Sequence, residues 1–402
     1  MARALDGIRV LDFSRVFAGP AATQILGDLG ADVIKLEEPG KGDEARYLGV
    51  DRQELEKFGG VSPSFLALNR NKRSIAVDLS CAAGREVAMA MAQKCDVIVH
   101  NFRPGAMAKF GLGYDAVRAR NPRIVYCEFT AYGQKGPMSH VGANDLALQA
   151  HSGLISLTGE ADRPPVRVGT AAIDLHGSLA IVSAVLAALF QRERTGEGQQ
   201  VETSLLQSSA HLLNYFYTEY WMEGTVRKPM GTANHLSVPN QVFPTSDGGV
   251  VIIAPTNEMW QRMVKALESS ELERPEFATT VSRLHNRDLL VATLSAVTQR
   301  MPVAEVVRRL SAVKVNVAKV NSVGEAADHA QLAAIDGFVE FDVGGRQVKA
   351  VATPFKMSGS ECVVDRPPPR LDIDSQTILR EFGFDDAGIA ALKAQGAFGK
   401  PS

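Results

Sequence analysis

The sequence predicts an α/β fold with a mainly parallel sheet, because buried strand patterns alternate with helical patterns along the first third of the chain. The first predicted helix has Pro20 near its start and Gly30 after its end, the usual positions of these residues at helix ends. Alternation of this kind is typical of a parallel sheet covered by helices on both faces. The predicted elements are strands 8–13, 32–36, 74–79, 96–102 and 124–129 and helices 19–30, 83–94 and 114–120.

Length and charge restrict the class of protein. A chain of 402 residues is long enough for two domains. Its 43 Lys and Arg nearly balance its 45 Asp and Glu, so we expect neither nucleic acid nor an anionic membrane as a partner. The N-terminal residues enter a strand pattern directly, so we expect no signal peptide. The longest uncharged apolar run, 175–190, is short for a membrane span.

The cysteines indicate a reducing compartment. Cys81, Cys95, Cys127 and Cys362 are widely spaced, lie in or beside apolar segments, and form no metal-binding motif. They are typical of reduced thiols in a cytosolic protein. We therefore expect a cytoplasmic protein without a metal site.

The character of the sequence changes after residues 229–240, which are rich in Gly, Pro and Asn. A hairpin is predicted at 242–254, and helices near 259–267, 287–298 and 303–310 follow it. We interpret this region as a smaller α+β unit that ends near His329. A further hairpin is predicted at 338–351.

A single carboxylate stands at the start of the most apolar predicted helix. Asp174 is the only charged residue between Ala171 and Phe190, and leucine and valine recur after it at spacings of three and four. The pattern predicts a helix that is buried almost all round. The simplest interpretation makes Asp174 the N-cap, which accepts hydrogen bonds from free backbone N–H groups. The alternative is a nucleophile that the helix dipole keeps ionised. The two interpretations are compatible.

Polar residues also follow the predicted strands, where parallel sheets bind their ligands. They lie at 14–19, 101–105 and 130–145. Arg103 and Lys109 could hold phosphate groups, although exposed cations are more often only solvated. Asn144-Asp145 is interpreted as a second helix start, with Asp145 as its N-cap.

Several catalytic motifs are absent from the sequence. It contains no GxxxxGK[ST] phosphate loop, so we expect no nucleotide cofactor. It also contains no GxSxG turn of the kind that carries a serine nucleophile. A glycine pair at 111–113 does not directly follow a strand and gives little support to a nicotinamide dehydrogenase.

Six stretches, distributed in order over nearly the whole chain, form one recognisable set. They are LDGIRVLDFSRVFAGPAATQILGDLGADVIKLE, NKRSIAVDL, NFRPGAMAKFGLGYDAV, RERTGEGQ, VNSVGEAADHAQ and LDIDSQTILREFGFDDAGIAAL. Together they resemble class III CoA-transferases, the group of formyl-CoA transferase and carnitine CoA-transferase.

The resemblance implies a large Rossmann-like domain, formed by residues 1–225 plus 330–402, and a smaller inserted α+β domain at 226–329. It also implies an interlocked homodimer that binds acyl-CoA and a small carboxylic acid, with coenzyme A as a substrate.

The resemblance also assigns site residues. The family's catalytic aspartate falls on Asp174, and a second acidic residue of its active site falls on Asp145. The positions that contact CoA fall on Val16, Phe17, Ala18, Val77, Ser80, Asn101, Phe102, Arg103, Lys109, Gly142, Ala143 and Asn144.

The implied reaction moves CoA from a thioester to a free acid through an anhydride and a thioester on the aspartate. Three departures qualify it. Glu38 replaces an arginine that faces the nucleotide in the formyl-CoA enzyme, and the segment MGTANHLSVPNQ lacks that enzyme's glycine-rich loop. Related α-methylacyl-CoA racemases carry a histidine where this chain has Asn144, which favours transfer over racemisation. Racemisation and CoA binding without catalysis stay open here, and the acids exchanged cannot be inferred.

Overall fold

The computed structural model describes residues 3–51, 55 and 60–399. The chain forms two compact units. The first unit comprises Met1–Leu154, Val168–Thr225 and Ala333–Ser402. The second comprises Ile155–Arg167 and Val226–Leu332.

The strands are β1 (Arg9–Asp12), β2 (Asp32–Glu37), β3 (Lys72–Ala76), β4 (Val97–His100), β5 (Val125–Thr130), β6 (Gln200–Ser204), β7 (Asn240–Pro244), β8 (Gly249–Ile253), β9 (Asn316–Lys319), β10 (Phe338–Val343) and β11 (Arg346–Val351). The helices are α1 (Ala18–Asp28), α2 (Pro63–Leu68), α3 (Ala82–Ala92), α4 (Ala106–Lys109), α5 (Tyr114–Arg118), α6 (Asp145–His151), α7 (Ala172–Thr195), α8 (Leu205–Leu212), α9 (Asn214–Glu223), α10 (Asn257–Leu267), α11 (Thr280–His285), α12 (Arg287–Thr298), α13 (Val303–Ala312), α14 (Val323–Ala327), α15 (Ala330–Ala334), α16 (Ser375–Glu381) and α17 (Asp386–Ala394).

The first unit contains a six-stranded sheet in the order β3-β2-β1-β4-β5-β6. Its neighbouring strands are all parallel, which confirms the predicted parallel sheet. The order reverses between β1 and β4, and ligands of doubly wound sheets bind beyond the carboxyl ends of the strands at such a point. The site is therefore expected where residues 13–17 and 101–103 leave the sheet.

Alternate side chains of the strands enter two cores, one on each face of the sheet. Leu11, Ile34 and Ile98 belong to one core, and Val10 and Val97 belong to the other. Both faces are thus apolar, which is why these strands are short continuous apolar runs in the sequence.

The long helix α7 packs in the second core through residues such as Ile181 and Val185, which are fully buried. Its opposite face is not covered: Leu175, Leu179 and Phe190 expose 40%, 44% and 68% of their surface. The prediction of a helix buried almost all round is therefore wrong for this chain taken alone. By length and composition α7 could also cross a membrane, a test that core helices of soluble proteins pass as well.

The C-terminal segment protects the edge strand β3. The Asp372 carboxylate accepts a hydrogen bond from the Ala76 N–H at 2.7 Å, and the Asp374 carboxylate accepts one from the Ser74 N–H at 2.9 Å. Unpaired edge groups invite association with other chains, and here side chains of the same molecule satisfy them.

The second unit contains the antiparallel sheet β7-β8-β9 and helices α10 to α13. The predicted hairpin at 242–254 is present as β7 and β8, and β9 pairs with β8 as a third strand. Its core includes Phe243, Trp260 and Leu294. The second predicted hairpin, 338–351, is β10 and β11 and belongs to the first unit.

Buried ions support the carboxyl end of β1. The Lys72 Nζ lies 3.1 Å from Asp12 Oδ2 and also donates to the Pro20 carbonyl and to the Asn69 side-chain oxygen. Asp12 also accepts hydrogen bonds from Ser14 and Thr23. Because the Lys72 and Asp12 side chains are wholly inaccessible to solvent, their charges must be compensated within the protein; Lys72 is the cation in contact with Asp12, and Lys35 contributes less.

We expect Lys72→Met to destabilise the protein by about 3–5 kcal/mol, because it leaves the buried Asp12 carboxylate without its cation. Urea denaturation monitored by circular dichroism measures the loss. Lys41→Met is the control: Lys41 pairs with Glu38 at an exposed site, where an ion pair contributes at most about 1 kcal/mol. Equal stability of the two variants would contradict the prediction.

Candidate active site

Asp174 is the third residue of α7 and is half-buried. The helix begins at Ala172, and its N-cap is Ala171, which has no side chain capable of capping. The prediction that Asp174 is the N-cap is therefore wrong. The buried face of α7 starts with Ile173 in the first turn and continues through Ile181 and Val185, whereas Leu175 and Leu179, the first residues of the apolar periodicity, lie on the exposed face. The Asp174 carboxylate therefore extends from within the first turn and does not cap the helix.

Asp145 supplies the missing cap from another helix. Its Oδ1 accepts hydrogen bonds from the backbone N–H groups of Ile173 at 2.8 Å and Asp174 at 3.2 Å. These are among the N–H groups that a helix start leaves without partners. Asp145 is the first residue of α6, and Asn144 is the N-cap of that helix, so the predicted N-cap is misplaced by one residue. The structure nevertheless brings the two predicted catalytic carboxylates together.

The pKa of Asp174 is raised from 3.8 to about 7, first by burial of the carboxyl group and then by repulsion from Asp145. The helix start stabilises negative charge, but burial and the second carboxylate outweigh it here. The direction of this pKa shift therefore opposes the expectation that the helix dipole keeps Asp174 ionised. A carboxylate with a raised pKa is more basic than an ordinary aspartate, which favours its use as a nucleophile once ionised.

The chain that leaves β1 is held in an unusual conformation. Val16 has a φ of 70°, a rare value for a β-branched residue. Its N–H donates to both Asp43 carboxylate oxygens, at 3.1 and 3.3 Å. Asp43 is paired with Lys35 at 2.8 Å, and Asn101 bonds both the N–H and the carbonyl of Arg15. Buried and half-buried side chains therefore fix this loop, as expected where strain serves a function.

A cavity of about 700 Å³ opens beside this loop, at the carboxyl ends of the strands. Arg15 and Arg103 provide positive charge, Phe102 provides an aromatic face, and Glu38 contributes a carboxylate. Such a mixture suits a nucleotide, with its base and phosphates. The lining residues are Phe13, Arg15, Leu36, Glu37, Glu38, Pro39, Val77, Asp78, Leu79, Ser80, Phe102, Arg103, Ala106, Phe110 and Gly399.

The residues predicted to contact CoA fall into two groups. Val77, Ser80, Phe102 and Arg103 line the cavity, whereas Lys109 is exposed at the end of α4 and is not among the lining residues. Of the others, Val16 lies in the strained loop, Phe17 is the N-cap of α1 and Ala18 begins that helix. Asn101 forms hydrogen bonds with the Arg15 backbone, and Gly142 lies beside Arg103. Ala143 packs on the core, and Asn144 caps α6.

Gly142 connects the cavity to the carboxylate pair. A Cβ atom built on Gly142 would lie 3.3 Å from the Arg103 Nη2, so the backbone passes closely over the guanidinium. Three residues later the same segment reaches Asp145. A ligand held by Arg103 would therefore lie near the segment that carries Asp145.

Sequence reasoning did not identify Asp43 or Gln149 as supporting residues. Asp43 is too far along the chain from Val16 for any spacing to relate them. Gln149 lies four residues after Asp145, so that both lie on one face of a helix, and this spacing is a signal that could have found it. Within residues 3–51, 55 and 60–399, no three His, Cys, Asp or Glu side chains are grouped so as to hold a metal ion.

The fold and the site together define an α/β protein with a nucleotide-sized cavity and a pair of close carboxylates, one of which has a raised pKa. The sequence profile of CoA-transferase family III matches residues 5–375. The chain belongs to this family.

Individual relatives agree with the family assignment. The succinyl-CoA:glutarate CoA-transferase of Mus musculus is 37% identical and aligns over 98% of this chain and 89% of its own length. The acetyl-CoA:oxalate CoA-transferase of Acetobacter aceti is 33% identical over 95% of this chain and 96% of its own. A CAIB/BAIF family protein from Brucella suis has a similar structure, with a TM-score of 0.85, 31% identity and coverage of 95% and 100%. These names give no support to the racemase alternative.

We expect Asp174→Asn to stabilise the folded protein above pH 7. The folded state binds the Asp174 proton more tightly than the unfolded chain, so the wild type loses stability as the pH rises from 3.8 to about 7. Because the side chain is only half-buried, we expect a gain of about 1 kcal/mol or slightly more, which corresponds to a few degrees in Tm.

Differential scanning calorimetry across this pH range measures the effect. The gain should shrink as the pH falls below 7. Asp115→Asn, an exposed aspartate in the first turn of α5, is the control and should show no such gain. A destabilised Asp174→Asn protein at alkaline pH would contradict the prediction, because it would show that burial and repulsion from Asp145 do not destabilise the ionised Asp174 carboxylate.

Proposed function

We propose that this protein transfers CoA from an acyl-CoA thioester to a free dicarboxylic acid, with Asp174 as the nucleophile. The observation that carries the proposal is the half-buried Asp174 carboxyl group, with its raised pKa, held against Asp145 at the start of α7. Family membership and the names of the relatives support the reaction type.

The first half of the reaction moves CoA to the enzyme. The Asp174 carboxylate attacks the thioester carbonyl of the donor, the C–S bond breaks, and a mixed anhydride and CoA thiolate form. The thiolate then attacks the aspartyl carbonyl of the anhydride, which releases the donor acid and leaves an aspartyl-CoA thioester. The second half repeats these steps in reverse with the acceptor acid. A thioester and a carboxylate are exchanged throughout, so no nucleotide is consumed.

We assign coenzyme A to the cavity of the first unit. Arg15 and Arg103 would bind its phosphates, and Phe102 would pack against its base. Glu38 also lines the cavity, and Lys41 partly neutralises it through a pair at 2.6 Å. Beyond coenzyme A as substrate, we expect no metal and no nucleotide cofactor.

The acids named for the two relatives, glutarate and oxalate, are both dicarboxylic. We therefore propose a dicarboxylic acceptor and succinyl-CoA as a first donor to test. Because one relative is named for oxalate, oxalate is included among the acceptors to test.

We propose that the protein is an interlocked homodimer. Its first unit exposes large apolar side chains that a second copy would cover, including Leu175, Leu179, Trp221 and Met222. We also propose that residues 1–225 plus 330–402 form a Rossmann-like CoA-binding domain and that 226–329 form an inserted domain. The compact units support this division, except that Ile155–Arg167 groups with the second unit.

We propose a cytoplasmic location. The four cysteines are all free, which suits a reducing compartment. The near balance of charges supports small-molecule partners in place of nucleic acid or a membrane.

We expect Asp174→Asn and Asp174→Ala to lower CoA transfer from succinyl-CoA to glutarate or oxalate by several orders of magnitude, because each removes the nucleophile. Steady-state assays with wild type, both variants and the Asp115→Asn control measure the effect. Circular dichroism checks that the variants are folded. Transfer at a near-normal rate by a folded Asp174→Ala protein would refute the nucleophile role.

We expect Arg103→Met to raise the KM for acyl-CoA by roughly 10-fold or more, since a charge-assisted hydrogen bond to phosphate contributes about 1.5–3 kcal/mol. The kcat should change little, because the nucleotide lies away from the reacting bond. Arg300→Met, which removes an exposed arginine of the second unit paired with Glu271, is the control. An unchanged KM in Arg103→Met would contradict the proposal that Arg103 binds the phosphates of CoA in this cavity.

A further inference from the structure

Gln149 is a fully buried polar side chain that joins three parts of the candidate site. Its Nε2 donates to Asp145 Oδ2 at 2.5 Å and reaches the Thr170 carbonyl at 3.4 Å. Its Oε1 accepts a hydrogen bond from the Val168 N–H at 2.9 Å. One amide group thus binds the capping carboxylate and the backbone that leads into α7.

The two oxygens of Asp145 have separate tasks. Oδ1 accepts from the first-turn N–H groups of Ile173 and Asp174, and Oδ2 accepts from Gln149. Rotation of the carboxylate would break bonds on both sides. Since α7 has no capping side chain of its own, this contact between helices satisfies the N–H groups of its first turn and helps to hold the turn that carries Asp174.

We propose that Gln149 is a positioning residue for CoA transfer: it fixes the Asp145 carboxylate as the cap of α7 and thereby holds Asp174 in place for attack. This inference rests on the proposed function of Asp174. Gln149 itself has no surface through which to touch a substrate.

The arrangement also favours the covalent steps. When Asp174 is free and ionised, its charge faces the fixed charge of Asp145, and formation of the anhydride or thioester removes the charge on Asp174. The repulsion is therefore relieved in each covalent intermediate. If Asp145 were free to turn away, this bias would be lost, so Gln149 acts on the rate through Asp145.

Gln149→Met keeps the size of the side chain and removes both of its polar atoms. We expect kcat to fall by about 10- to 100-fold, as small displacements of a reacting group do, with the KM for succinyl-CoA within about threefold of wild type. Gln24→Met is the matched control, because Gln24 is also buried and accepts a backbone N–H, that of Arg70. Its kcat should be that of wild type.

Gln149→Glu separates positioning from packing. The introduced carboxyl group keeps the acceptor for Val168 and, when protonated, can still donate to Asp145; when ionised, it repels Asp145. The ratio of its kcat to that of wild type should therefore fall as the pH rises, whereas the ratio for Gln149→Met should stay flat. A flat ratio for Gln149→Glu would overturn the proposal. A kcat near that of wild type for folded Gln149→Met would also overturn it.

Hydrogen–deuterium exchange provides a readout that needs no activity. In Gln149→Met, or in Gln149→Glu at alkaline pH if the first variant does not fold, the amides of residues 172–175 should exchange faster than in wild type or Gln24→Met. Unchanged exchange would overturn the positioning role. If the wild type transfers no CoA while exchange changes as expected, the proposed function fails and the structural role of Gln149 stands.

Discussion

The candidate site depends on one contact, between the Asp145 carboxylate and the first-turn N–H groups of α7. It satisfies a helix start that has no cap of its own, and it holds a second negative charge beside Asp174. A carboxylate is normally a weak nucleophile because water stabilises it. Partial burial and a neighbouring charge remove some of that stabilisation, and acylation of Asp174 in the proposed reaction would release this energy.

The sheet places a second set of groups beside the segment that leads to Asp145. Reversal of strand order between β1 and β4 opens the cavity beside residues 14–17, and the Lys35–Asp43 pair holds Val16 in its strained conformation. Gly142 passes over Arg103 and leads to Asp145. In the proposed reaction, recognition of the nucleotide and the covalent chemistry would therefore share one continuous segment, although different elements supply their residues.

The sequence predicts β1, β2, β4 and β5 well because they are mainly apolar runs that a local pattern detects. It places β3 too late, because β3 begins with Lys72 and Arg73, and it does not identify β6, whose sequence QVETS is mostly polar. It predicts the start of α7 poorly. The cap of that helix is Asp145, distant along the chain, and the residues from Ala171 to Ile173 carry no local start signal. The exposed face of α7 looks identical in sequence to its buried face, because Leu175 and Leu179 are as apolar as Ile181. The sequence pattern singles out Asp174, the resemblance adds Asp145 as a second acidic residue of the site, and only the structure shows that the two interact.

Mass spectrometry of the protein after incubation with succinyl-CoA and a hydroxylamine quench tests the central claim most directly. Hydroxylamine converts an aspartyl anhydride or thioester into a stable hydroxamate. The account predicts this modification on the peptide that contains Asp174, dependent on the acyl-CoA and absent from Asp174→Ala. An adduct on another residue, or transfer of CoA at a normal rate without any adduct, would contradict it.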